Sequence, residues 1–465
     1  MKKLIALTLI CLILTSVCCA LPTAAAGGFA IEDGVLLSYS GSDANVTVPD
    51  GVYAIASSAF ENNKKIQKIT LPSTVYTIGD RAFSQCSALT SVTGSGVTEA
   101  GAFAFSGTPY FENSTDIFFT LGKCLLWYNG TGGSVTLPAG IVSIAPYAFL
   151  RAGEVTDFSA SAGLLSIGEG AFYECAKLKS VSLPSTVSYV GAYAFDGTAY
   201  LNRAGVMPVV GDGILLRYGG DAASVKIPDT VRRIAPRAFC GNKKLTEIDL
   251  PSSVYAVDSE AFMNCTSLIS LKLNNGLITI GDCAFKGCTS LTALETPASL
   301  SLIGSGAFQG CTKLKSVSLI GTQLRVAGDA FASCTGLKLV LLSDGVSELC
   351  DGAFRSCTAL EAISITSGTQ VIASGALTGC GKVKVCCDEG SVAAGTFAKS
   401  IIDTDRGDAD EDGWMTIIDA TQLQRYLAEI ISITPISVAR CDMDHDGYLT
   451  VVDVTMMQRI LAGLV

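Results

Sequence analysis

The chain has 465 residues, 49% hydrophobic and 16% charged, with a formal net charge of −10 and one histidine, His445. That length accommodates more than one domain. A single histidine removes Ser-His-Asp and Cys-His catalysis and His-zinc chemistry from everything upstream of it. The acidic balance gives nucleic-acid binding no electrostatic basis.

The N-terminus opens Met1-Lys2-Lys3, then runs apolar from Leu4 to about Leu21, and Ala24-Ala25-Ala26 precedes Gly27. Charged start, apolar core and small-residue exit read as a secretory signal peptide over 1–26. A membrane span is the alternative, against which the run is barely long enough and ends in Pro22. Lipidation at Cys18 or Cys19 is another, against which the preceding residue is Val17 or Cys18 rather than a small one. No later stretch is long and apolar enough to span a bilayer, so the cleaved chain is expected outside the cell with no transmembrane segment. Any surface attachment then runs through a partner.

Residues 27–399 repeat. An Ala-Phe pair recurs with Phe at 239, 262, 285, 308, 331 and 354, a period of 23, and Leu377 takes the next turn. Phe60, Phe83, Phe149, Phe172 and Phe195 belong to the same series. In one unit, Leu245-Thr-Glu-Ile248-Asp-Leu250 predicts a short inward-facing strand closed by Pro251, Val254 and Val257 turn a second apolar edge inward, and Ala261-Phe262 fills the coil from the far side. One such unit cannot bury its apolar face alone, so neighbours must stack. The pattern resembles bacterial surface leucine-rich repeats of the BspA type, which implies a mostly β solenoid with short turn and helical segments. It is specific for fold and weakly specific for function.

Three inserts interrupt the period, beginning at Asp33–Tyr39, Lys123–Tyr128 and Gly211–Tyr218. They read as hairpin-bearing units, the first capping the N-terminal edge. Cys86, Cys175, Cys265, Cys288, Cys311, Cys334, Cys357 and Cys380 each lie three residues after the Phe or Leu of the pair. A buried thiol suits one packing slot per turn. Disulfides between neighbouring turns remain open on distance. Zinc does not fit, because thiol sites need clustered ligands.

The solenoid carries no obvious catalytic set. A carboxylate pair for glycoside hydrolysis remains possible in principle, yet Glu247, Asp249 and Glu295 read as solvated strand faces. Outward positions such as Thr246, Lys272, Ser316, Ser318 and Lys338 offer no aromatic platform for sugars. Leu339, Leu341 and Leu342 form a local apolar stretch, either a protein contact or core.

Most of the charge sits in the tail. Residues 403–465 hold twelve Asp/Glu against four Arg, a balance of −8. Two loops 34 residues apart share one plan. Loop 1 places Asp408, Asp410, Asp412, Trp414, Thr416 and Asp419 at positions 1, 3, 5, 7, 9 and 12, with Gly413 at position 6. Loop 2 repeats this with Asp442, Asp444, Asp446, Tyr448, Thr450, Asp453 and Gly447. Clustered carboxylates, a backbone carbonyl at 7 and a hydroxyl or water at 9 are what calcium takes, so two Ca2+ are expected. Each loop runs into a helix with one apolar stripe: Leu423, Tyr426 and Leu427, then Met457, Ile460 and Leu461.

Aspartate at position 12, and no long helix before loop 1, make 403–465 resemble a type I dockerin, the module that plugs into cohesin domains of cellulosome scaffoldins. The resemblance implies cohesin contacts at loop positions 10 and 11 and on the helix: Ile417, Ile418, Gln424 and Arg425 in one half, Val451, Val452, Gln458 and Arg459 in the other. Helix positions Glu429 and Gly463 depart from the basic residue common there, and the aliphatic pairs depart from Ser or Thr. Ile418 and Val452 have two readings, partner contact or packing inside the module. The halves match well enough for either to face the cohesin.

The expected protein is therefore secreted and non-catalytic. It docks through calcium loops onto a cohesin of a scaffoldin or cell surface, displaying a solenoid for adhesion or protein contact with a ligand the sequence does not name. The alternative is a cellulosomal component with an unrecognised polysaccharide-degrading activity. No Ser/Pro-rich linker separates the two parts, which couples the solenoid's direction to the docking site.

Overall fold

The computed structural model describes residues 27–202, 207–397, 402–403, 406–412 and 414–464. The expected signal peptide and Gly413 lie outside the described residues. The chain divides into two compact units, Met1–Arg203 with Val210–Asp212, and Ala204–Val209 with Gly213–Val465.

The first unit opens with an antiparallel hairpin, Phe29–Glu32 against Val35–Tyr39, at the edge of a five-stranded sheet. The later strands of that sheet are two residues long and parallel: Ala54–Ile55 pairs with Thr77–Ile78, placing Ile55 beside Ile78. A second hairpin, Phe118–Leu121 against Cys124–Tyr128, restarts the stack where the sequence places its second insert. Phe60, Phe83 and Phe105 stack ring on ring, as do Phe149, Phe172 and Phe195.

In the second unit the 23-residue period becomes geometry. Glu247–Asp249 pairs in parallel with Ser270–Lys272, so Ile248 meets Leu271 one turn later. On the other side, Ala256–Val257 pairs with Thr279–Ile280. These strands are short because each turns only one or two side chains inward before Pro251, which has no N–H for a ladder, closes the first. The Ala-Phe side is also knitted turn to turn: the Phe262 N–H donates to Ala284 O at 2.7 Å and the Phe285 N–H to Ala307 O at 2.7 Å. Rings of Phe239, Phe262, Phe285, Phe308, Phe331 and Phe354 stack with centroids 4.7–5.2 Å apart, all fully buried.

This corner demands left-handed backbone on both sides of the phenylalanine. Glu260 and Asn264 flank Phe262 at φ 59° and 60°, and Gly306 and Gly310 flank Phe308 at 61° and 74°. Non-glycine residues accept that conformation at a cost of about 1 kcal/mol each, which the stacked rings offset.

All fifteen described cysteines are free. The repeat thiols do more than fill a slot. Cys265 Sγ donates to Phe239 O at 3.1 Å and Cys380 Sγ to Phe354 O at 2.9 Å, each reaching back 26 residues. Cys86, Cys175, Cys288, Cys311, Cys334 and Cys357 do the same. The thiol is a second donor to a carbonyl that already accepts a backbone N–H, such as Asn242 N–H on Phe239 O at 3.1 Å and Cys357 N–H on Phe354 O at 3.2 Å, and so fills the oxygen's other lone pair.

Helices are few among the described residues: α1 (Pro109–Glu112), α2 (Val392–Thr396), α3 (Ile417–Leu427), α4 (Pro435–Cys441) and α5 (Val451–Leu461). None is long and apolar enough to cross a membrane. The last three form the tail, which is entered from Ile402–Asp403, a strand paired to the solenoid strand Lys384–Cys386.

Candidate metal centre and docking faces

Each acidic loop is folded by its own last aspartate. Asp419 accepts the Thr416 N–H at 2.6 Å with one carboxylate oxygen, and the N–H groups of Ala409 and Asp410 at 2.8 and 3.1 Å with the other. Asp453 repeats this with Thr450, Met443 and Asp444 at 2.7, 2.7 and 3.3 Å. One side chain thus ties the start of the loop to the first turn of its helix, completing a capping box with Thr416 or Thr450. The threonine hydroxyls accept the Ile418 and Val452 N–H groups at 3.1 Å, so they serve the helix starts as well as standing at position 9.

The carboxylates converge. Oxygens of Asp408, Asp410 and Asp412 lie within 4.8 Å of one another, as do those of Asp442, Asp444 and Asp453. Asp446 accepts the Tyr448 N–H at 2.8 Å, holding position 7 in its turn, and Asp419 stands behind loop 1 through the bonds above. Without a cation this arrangement is costly. Asp442 is wholly buried with one carboxylate oxygen lacking a hydrogen-bond partner. Burial, then the charges of Asp453 and Asp446, push its carboxyl up to about 7. Asp444 is raised by burial and by Asp453 and Asp446, and Asp410 by burial and by its own neighbours Asp419, Asp412 and Asp408. An all-oxygen, strongly anionic set with an unsatisfied buried oxygen fits a hard divalent cation such as calcium.

Helices α3 and α5 pack on each other around Ala420, Leu423, Val454 and Met457. Their other faces are open. Ile417, Ile418, Val451 and Val452 are 60%, 56%, 70% and 49% exposed, which places all four at the surface rather than in the module's core. Gln424, Arg425, Gln458 and Arg459 are exposed too, and Trp414 is 75% exposed.

The tail does not hang free of the solenoid. Helix α4 lies on the strands Leu339–Leu342, Ala362–Ser364 and Lys384–Cys386. Val438 and Ala439 pack on Leu341, Ala362 and Cys386. The Leu339–Leu342 stretch is therefore both things the sequence allows: Leu342 is solenoid core, and Leu341 is a protein contact whose partner is this chain's own tail. Tyr448 donates its hydroxyl to Glu295 at 2.7 Å, and the Asp344 N–H donates to His445 O at 3.0 Å. Glu295 is thus a docking residue rather than only a solvated strand position. Arg440 holds both carboxylate oxygens of Asp403, at 3.2 and 2.9 Å, and Asp408 at 2.6 Å.

Sequence reasoning passed over these docking residues because each is ordinary in its own segment. One signal was present. Arg406-Gly-Asp408 and Arg440-Cys-Asp442 repeat at the spacing of the loops themselves.

Comparison with known proteins agrees with both halves of this description. The chain matches the BspA-type leucine-rich repeat region, in six copies, over residues 38–118, 127–207, 218–338 and 284–389. Residues 406–462 match the dockerin type I domain. Similar solved structures include a leucine-rich repeat protein from Eubacterium ventriosum (23% identity, 75% of this chain and 91% of that one, TM-score 0.38). A leucine-rich cell surface protein from Faecalibacterium prausnitzii is another (22% identity, 83% and 99%, TM-score 0.31). A leucine-rich repeat protein from Bacteroides ovatus is a third (22% identity, 80% and 100%, TM-score 0.34). A search of curated proteins gives no match. The chain belongs to the BspA-type leucine-rich-repeat family and carries a C-terminal type I dockerin domain.

Proposed function

We propose that this is a secreted, non-catalytic protein that docks through a calcium-loaded dockerin onto a cohesin domain of a scaffoldin or cell surface, and so displays its solenoid for adhesion or protein contact. Residues 1–26 act as the signal peptide, 27–399 as the solenoid and 403–465 as the docking module. Two calcium ions occupy the loops, held by Asp408, Asp410, Asp412, Trp414, Thr416 and Asp419, and by Asp442, Asp444, Asp446, Tyr448, Thr450 and Asp453. When bound, calcium neutralises the loop carboxylates and fixes the starts of α3 and α5. The chain's own part is to hold the ligands together through Asp419 and Asp453 and to keep the contact faces outward.

The observation that carries the reading is the exposure of two matched aliphatic pairs, Ile417-Ile418 and Val451-Val452, beside metal loops in a module that already uses a third helix to sit on the solenoid. Exposed apolar pairs rimmed by Gln and Arg are what a protein partner buries. With both pairs open, either half can meet the cohesin.

The test is calorimetric titration of the chain from Gly27 onward against a panel of cohesins, in calcium and then in chelator. Tight binding to one cohesin, lost on chelation, supports the reading. Calcium uptake with no cohesin partner sinks the docking role and leaves a calcium module of other use. Turnover of plant polysaccharides by the same protein would overturn the non-catalytic reading.

A further inference from the structure

The two loops repeat in sequence, but the solenoid treats them differently. Each loop is preceded, two residues before its first ligand, by an arginine: Arg406 before Asp408 and Arg440 before Asp442. Arg440 crosses to the first ligand of the other loop and holds Asp408 at 2.6 Å, while also gripping Asp403 on the strand that joins the solenoid. Arg406 does not repeat this on Asp442. It is drawn toward the solenoid, pairing with Asp388 at 3.5 Å and donating to Ser364 Oγ at 3.2 Å, and it also donates to Ala439 O of the tail's own helix α4 at 3.3 Å.

The consequence falls on the first ligand of each loop. Asp408 accepts the Asp412 N–H with one oxygen and has a guanidinium on the other. Asp442 accepts the Gly447 N–H with one oxygen, and the other is buried with no hydrogen bond. A fixed cation on a ligand oxygen competes with an incoming divalent ion and repels it, whereas a stranded buried oxygen gains its missing partner when the ion arrives. Loop 2 is also braced in shape, by Tyr448 on Glu295 and His445 on Asp344, so less ordering remains to be done on binding.

We infer that the two calcium sites are unequal, and that loop 2 is the tighter site and fills first, because Arg406 spends its direct contacts on Asp388, Ser364 and Ala439 and reaches Asp442 only as a nearby charge, whereas Arg440 sits on a ligand oxygen of Asp408. This rests on the reading of both loops as calcium sites. The solenoid thereby acts as part of the metal site's surroundings, and the two-fold similarity of the tail's sequence does not carry through to its chemistry.

The experiment uses the whole chain from Gly27, freed of metal, with Ca2+ followed by calorimetry and Tb3+ followed by tryptophan-sensitised emission. Trp414 sits at position 7 of loop 1, and Trp414→Phe assigns the signal to it. The expected result is two Ca2+ steps separated by about tenfold in affinity, with the first equivalent of Tb3+ giving little tryptophan-sensitised emission and the second giving nearly all of it. Arg440→Met narrows the gap by tightening loop 1. Asp388→Asn, at a partly exposed position, narrows it by freeing Arg406 and weakening loop 2. Equal steps, emission on the first equivalent, or a gap that Asp388→Asn leaves unchanged overturns the inference while keeping two calcium sites. Absence of any Ca2+ or Tb3+ uptake overturns the calcium reading itself.

Discussion

Tyr448 donates its hydroxyl to Glu295 across 2.7 Å, joining position 7 of the second calcium loop to a solenoid strand 153 residues earlier. The bond makes the tail a continuation of the solenoid surface rather than a module on a tether. Tyr448→Phe removes it and leaves a charged acceptor that water can reach. The expected cost is about 1 kcal/mol, read as faster amide exchange across 435–453 with the solenoid's exchange unchanged.

Calcium affinity should fall as the medium is acidified below neutrality. Burial, Asp453 and Asp446 raise the Asp442 carboxyl to about 7, far above its unfolded value. The metal-free fold therefore takes up a proton that the unfolded chain does not. Its stability is full below the unfolded value and is lost as pH rises through about 7. Calcium must displace that proton, so binding releases it. Titrations at pH near 7 in buffers of different ionisation enthalpy should show proton release, much reduced in Asp442→Asn.

The thiol ladder should be chemically silent in the folded protein. Burial pushes Cys86 up to about 11 and Cys175 and Cys265 up to about 12. These raised values stabilise the fold below the unfolded thiol pKa, and the contribution is lost as pH climbs through 11–12. A thiol reagent at mildly alkaline pH should modify these positions only after urea unfolding, and the urea midpoint should drop between about pH 8 and about pH 10.5. Rapid labelling of the native chain would mean the solenoid breathes at its corner.

Phe308 lies mid-ladder, 5.1 Å from the rings on both sides and fully buried. Phe308→Ala should cost about 3–5 kcal/mol. Because each turn contacts its neighbours, the loss should spread locally, weakening amide protection over the adjoining turns before distant ones.

The docking faces predict redundancy. Ile418→Asp or Val452→Asp alone should reduce cohesin binding severalfold at most, since the other half remains open, whereas the double variant should abolish it. A complete loss from one single change would show that only that half is used.

Much of this protein is legible along the chain. The period of 23 carries the solenoid, since apolar residues repeated at one spacing have only stacked neighbours to bury against. The hairpin units at Asp33 and Lys123 show as breaks in that period. The two acidic loops show because carboxylates at alternate positions, written twice 34 residues apart, form a pattern that a divalent cation would take. The exposure of Ile418 and Val452, which sequence left between core and surface, needed the packing of α3 on α5 to decide it.

What sequence determined is everything set by residues near one another or repeated at one interval: turn length, the phenylalanine ladder, the thiol slot, the spacing of the loop carboxylates and the helix caps. Tertiary structure alone decided where the tail rests, that Leu341 meets Val438, and that Arg440 reaches Asp408 while Arg406 turns to Asp388. The reason is physical. Periodic burial is a local demand that every unit states for itself. Which arginine meets which carboxylate depends on the distance between segments far apart in the chain, and a repeat of 34 residues writes the same arginine twice without saying that only one will find the solenoid's acid.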